Sequence, residues 1–181
     1  MSSLFGWPLG RKDPGAPKPA TIEAIYGVIV AQARAPAFYQ DFGVPDTVDG
    51  RFDMVLLHLW LALTRLKGLA GGEPWAQALF DHFCSDMDAN LREMGVGDTT
   101  VPKRMRAFGE AFYGRAKAYD LALEDGPDAL AQALARNVLG EPEAARGAAL
   151  ASYVAQALEA LNRTDDDTLR RGAWPFPKPH F

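Results

Sequence analysis

Apolar residues recur along most of the chain at steps of three and four, and no stretch alternates with the period of two that a strand requires. Thr21 follows Pro19 as a helix start, and Ile22, Ile25, Val28 and Ile29 share one face of a helix that ends near Pro36. A loop, Phe42-Gly-Val-Pro-Asp-Thr-Val-Asp-Gly50, leads into a second helix over residues 51–67. Phe52, Val55, Leu56, Leu59, Leu63 and Leu66 form one stripe on it, while Met54, Leu57 and Leu61 form another on the opposite side. A helix apolar on two sides is either central in a bundle or offers a patch to a partner.

A third helix spans 74–94, with Ala76, Phe80, Phe83, Met87 and Leu91 inward. Gly95-Val-Gly97 stops it, and Asp98-Thr-Thr100 with Pro102 starts a fourth whose face is Val101, Met105, Phe108, Phe112 and Tyr119. Two alanine-rich helices follow, at 127–139 and 142–162, the second buried along Leu150, Tyr153, Val154, Ala157 and Leu161. The pattern predicts an all-α bundle of about six helices: an irregular arm at 1–20, one helical domain at 21–165, and a proline-rich tail at 166–181. Alternating prolines keep the tail extended, and Trp174 and Phe176 give it means to pack on the body.

Composition narrows the function classes. The chain has 181 residues, 48% hydrophobic and 23% charged, enough for one self-sufficient core without disulfides; its one cysteine is Cys84. A net charge of −4 argues against a dedicated nucleic-acid binder. The densest apolar run, Met54 to Leu63, covers ten residues, about half a membrane span. The start of the chain lacks the charge order of a secretory signal, so a cytoplasmic protein is expected.

Catalytic patterns are missing: there is no nucleophile elbow, no phosphate-binding loop and no His-Glu-x-x-His. His82, Cys84, Asp86 and Asp88 lie close in sequence, but steps of two scatter them around a helix, and only His82 and Asp86 share a face. No metal, cofactor or catalytic residue is expected. His58 reads as a satisfied buried histidine or a functional one, and Trp60 and Trp75 as core or interface aromatics. From the residues alone, a membrane-surface module stays open, because Leu4, Phe5 and Trp7 precede Arg11 and Lys12.

Two stretches carry a family likeness. The loop at 42–50 runs into Leu56-Leu-His-Leu-Trp60. Asp86-Met-Asp-Ala-Asn-Leu-Arg-Glu-Met-Gly-Val-Gly-Asp98 precedes Val101-Pro-Lys-Arg-Met105 and Ala111-Phe-Tyr-Gly-Arg115. Over residues 39–119 this resembles the ubiquinol–cytochrome c chaperone family. The resemblance implies a non-enzymatic helical chaperone that binds newly made cytochrome b and promotes assembly of respiratory complex III. It also implies a small partner protein and a ribosomal location for mitochondrial members. The short N-terminal arm points to an alphaproteobacterial member, at most peripheral at the inner face of the inner membrane.

The expected protein-binding residues follow. An apolar client helix would take Met54, Leu57, His58 and Leu61. Basic loops would meet the third helix at Asp86, with Arg92 beside it, where the charges from Glu73 to Glu93 sum to −4. On the fourth helix, Lys103 to Lys117 sum to +4; Arg106, Glu110, Tyr113 and Lys117 form an outward stripe with Lys103 beside it. Arg106, Tyr113 and Lys117 are expected to contact the client or a partner, since Tyr and Arg are enriched where interfaces bind tightest. Gly95 and Gly97 are expected to be structural.

Overall fold

The computed structural model describes residues 17–140 and 144–181, with residues 144 and 145 described by backbone alone. Leu4, Phe5, Trp7, Arg11, Lys12 and Pro142 lie outside the described residues. The elements are α1 (Pro19–Ala33), α2 (Pro36–Gln40), α3 (Val48–Lys67), α4 (Glu73–Glu93), α5 (Val101–Asp125), α6 (Pro127–Leu134), a π turn (Ala135–Leu139), α7 (Ala144–Arg163) and α8 (Asp166–Arg170). Among the described residues there is no strand. The fold is all-α.

The helix starts follow from local chemistry. Prolines open α1, α2, α4, α5 and α6 in the first turn, where a missing N–H is no loss. Thr47 Oγ1 accepts from the Gly50 N–H at 3.1 Å, which starts α3 at Val48, ahead of its apolar stripe. The α4 stop is a two-bond reversal: Val96 N–H donates to the Leu91 carbonyl at 3.0 Å and Gly95 N–H to the Arg92 carbonyl at 2.9 Å. Gly95 sits at φ 79°, a left-handed backbone that side-chain-bearing residues adopt at a cost. Gly97 has no positive φ, so the reversal rests on Gly95 alone.

α3 is the axis of the bundle. It contacts α1, α4, α5, α7 and the π turn, and every residue from Met54 to Leu63 is buried. This corrects the expectation of a client patch. Met54, Leu57, His58 and Leu61 are all 0% exposed, so the second apolar side meets other helices. Truncating such a site costs about 2–5 kcal/mol through lost burial and the cavity left behind.

Polar groups lock the helices around that axis. Arg65 donates to the carbonyls of Leu161 at 2.9 Å and Thr164 at 3.0 Å and pairs with Asp166 at 2.9 Å, tying α3 to the α7–α8 junction. Trp60 Nε1 donates to Asp120 at 2.8 Å and joins α3 to α5. The tail then runs back over the body, with Trp174 buried and Phe176 half-buried in the core cluster.

Candidate protein-binding surface

The fourth predicted helix, α5, divides its family-like string between inside and outside. In Ala111-Phe-Tyr-Gly-Arg115, Phe112 is buried and Arg115 Nη2 donates to Asp53 Oδ1 of α3 at 2.6 Å. Tyr113 is 51% exposed and Gly114 faces open space, with nothing within 4 Å of where a Cβ would stand. The buried half fixes the rotation of α5, and the exposed half is thereby held outward. Burial outweighs the nearby guanidinium at Asp53 and pushes its carboxyl up to about 6. Arg115 Nε and the Tyr119 hydroxyl beside it are buried without hydrogen-bond partners among the described residues.

Tyr113 is an aromatic on a prepared seat. Its ring lies 5.6 Å from Phe80 of α4 and 5.5 Å from Phe112, so one flank is packed and the other is open. Burial is the main cause that raises its phenol pKa. Lys103, Arg106, Glu110 and Lys117 are all exposed on the same helix. The stripe also extends one step beyond the sequence reading. Leu121 is 51% exposed, and Tyr113, Lys117 and Leu121 stand at i, i+4 and i+8. Continuing the count of 100° per residue past Lys117 would have found it.

The acidic side of α4 is more occupied. Asp86 accepts from the Tyr26 hydroxyl at 2.8 Å and from Asn90 at 3.2 Å, and so fastens α4 to α1. Tyr26 also meets the His82 ring edge-on at 5.0 Å, which is where the two same-face residues of that cluster end up. Among the described residues no group of three metal-ligating side chains converges. Arg92 pairs with Asp88 at 2.6 Å and with Asp98, clipping the end of α4 to the turn that follows. Asp86 and Arg92 therefore have internal partners, and their structural employment accounts for much of the string at 86–98. Cys84 is half-buried against the core, and burial raises its thiol pKa.

The oppositely charged α4 and α5 lie side by side, and rings pack between them: Phe80 against Phe112 at 5.2 Å and against Tyr113. A groove of about 390 Å³ lies between the end of α5, α6 and α7, walled by Leu123, Leu130, Ala131 and Ala151. Among the described residues no helix is long and apolar enough to cross a membrane.

The ubiquinol–cytochrome c chaperone family model matches residues 40–176, which take in α3 to α8 and the whole stripe. The chain belongs to that family. Relatives carry names that agree. The chain is 27% identical over 149 residues to the ubiquinol–cytochrome c reductase complex assembly factor 1 of Xenopus laevis, covering 80% of this chain and 74% of the relative. It is 28% identical over 152 residues to the mitochondrial protein CBP3 of Saccharomyces cerevisiae, covering 80% of this chain and 45% of the yeast protein. The crystal structure of the Cbp3 homolog from Brucella abortus superposes with a TM-score of 0.78 at 41% identity, covering 88% of this chain and 90% of that one.

Proposed function

We propose that this chain is an assembly factor for the ubiquinol–cytochrome c reductase complex. It acts as a binding protein, not an enzyme: it holds newly made cytochrome b and uses the outer face of α5 to do so. The family match across residues 40–176 carries the reading. The stripe supports the choice of face, because it joins a seated aromatic, an exposed leucine and three cations on one rigid helix. Exposed aromatic and arginine side chains on a rigid support are the usual anchors of an interface. A protein of this kind works at the inner face of the membrane, where the apolar segments of its client emerge.

Two measurements test it. Deleting the gene lowers cytochrome b and the assembled reductase while unrelated respiratory enzymes keep their levels; unchanged cytochrome b, with no second family member in the cell, refutes the function. Capture of tagged cytochrome b from cells drops with the double change Tyr113→Ala and Arg106→Glu. Full capture by a folded double variant moves the binding face elsewhere.

A further inference from the structure

The tail occupies a groove, and its manner of doing so defines what that groove binds. A closed hydrogen-bond chain forms the floor. His58 Nδ1 lies 2.8 Å from the Met54 carbonyl, which only accepts, so Nδ1 carries the proton and Nε2 accepts from the Tyr153 hydroxyl at 2.7 Å. Tyr153 in turn accepts from Gln32 Nε2 at 3.0 Å, and the other hydrogen of that amide goes to the Pro177 carbonyl at 2.8 Å. The Phe176 ring stands edge-on to His58 at 5.4 Å, and Phe181 edge-on to Phe42 at 5.6 Å. The groove thus reads one backbone carbonyl and two aromatic rings.

The segment that fills it suits that reading. Prolines at 175, 177 and 179 hold Trp174-Pro-Phe-Pro-Lys-Pro-His-Phe181 extended and remove N–H groups that would otherwise need acceptors. Aromatic-lined grooves bind such preformed extended segments at a low entropic cost.

The root of the tail is more deeply buried than its end. Gly172 at φ 91° closes α8, Trp174 is 5% exposed and its Nε1 donates to the Leu169 carbonyl at 3.1 Å. Beyond Trp174, Phe176 is half-buried, Phe181 is 68% exposed, and the described hydrogen bond to the body is that from Gln32. The turn that launches the last seven residues does not depend on the contacts those residues make.

We propose that residues 175–181 are a displaceable strap over a peptide groove formed by α1, α3, α7 and the loop holding Phe42, and that this groove takes an extended proline–aromatic segment of a partner protein. This site is separate from the outer face of α5 and does not depend on the identity of the client held there. The chemistry of the present occupant specifies that of the partner: aromatic rings set into the groove, prolines between them, and one carbonyl offered to Gln32.

The probe is a fluorescein-labelled peptide of the tail sequence, Trp-Pro-Phe-Pro-Lys-Pro-His-Phe, titrated in fluorescence anisotropy against the full chain and its variants. The unaltered chain binds weakly, because its own tail competes at a local concentration on the order of millimolar. Phe181→Ala, at a ring already mostly in water, leaves the fold intact and raises the peptide's affinity. Phe176→Ala with Phe181→Ala raises it further, at least about tenfold over the unaltered chain by the same competition argument. Adding Gln32→Ala to the double variant lowers the affinity again. No saturable binding to the Phe181→Ala chain, or the same affinity for all the chains, overturns the proposal. A mass that doubles in light scattering without any peptide assigns the groove to a second copy and overturns the partner assignment.

Discussion

Arg115 Nη2 and Asp53 Oδ1 meet at 2.6 Å between α5 and α3, and this contact sets which residues of α5 face water. The pair is well shielded, with side chains 25% and 15% exposed. Removing one partner strands a charge in a poorly hydrated place, which costs more than the pair itself contributes. Arg115→Met therefore destabilises the fold by about 2 kcal/mol at pH 7, less than a fully buried pair would lose. The loss shrinks at pH 5, where Asp53, with its carboxyl pushed up to about 6, is largely protonated. Adding Asp53→Leu recovers most of the loss. Urea titrations of the unaltered chain, the two single variants Arg115→Met and Asp53→Leu, and the double variant at both pH values measure this cycle.

His58 makes folding sensitive to acid. Burial holds its pKa down to about 4, against 6.5 in an unfolded chain. The unfolded chain thus binds the proton first as pH falls. Stability that is complete above about pH 6.5 is lost progressively toward pH 4, by up to about 3 kcal/mol from this group. A proton on Nε2 also turns that atom into a donor facing the Tyr153 hydroxyl, which already receives Gln32. His58→Gln flattens this loss, and the difference in stability between the two chains at pH 7 and pH 4.5 measures it. An identical pH dependence in both chains would exclude His58 as the cause.

The reversal at Gly95 is the next test. Gly95→Val costs about 1 kcal/mol or more, because φ 79° is poorly tolerated by a β-branched residue. Gly97→Ala, at a position without positive φ, stays within about 0.5 kcal/mol. Equal costs at the two sites in thermal melts would refute the assignment of the turn to Gly95.

Tyr113 and Arg106 divide stability from binding. Arg106→Glu, on an exposed side chain, shifts stability by less than about 0.5 kcal/mol. Tyr113→Ala loses the flank packed on Phe80 and Phe112 and costs about 1 kcal/mol. Capture of cytochrome b falls further than either number explains if the stripe is the contact. Thermal melts and capture from the same preparations separate the two effects.

The helical architecture was legible because periods of three and four persist from Ile22 to Leu161. Two elements were not. α2 and α8 are five residues each, too short to show a period, although Pro36 and the Asp165 side chain that accepts from the Thr168 N–H were local signals for them. The fate of Met54, Leu57, His58 and Leu61 was equally hidden. Two apolar stripes on α3 describe a central helix and a helix with a sticky face in the same way, and only the neighbours decide between them. The outward stripe of α5 was readable by angle, whereas Gln32, His58 and Tyr153 come together from residues up to 121 positions apart.

α3 also sets the angular layout of the molecule. At 100° per residue, Asp53 and Trp60, which hold α5, point about 140–160° away from His58, which lies beneath the tail. The two faces are thus nearly back to back across one helix. A cargo held on one side and a docking segment on the other would not collide, and the protein has the layout of a bracket that joins them.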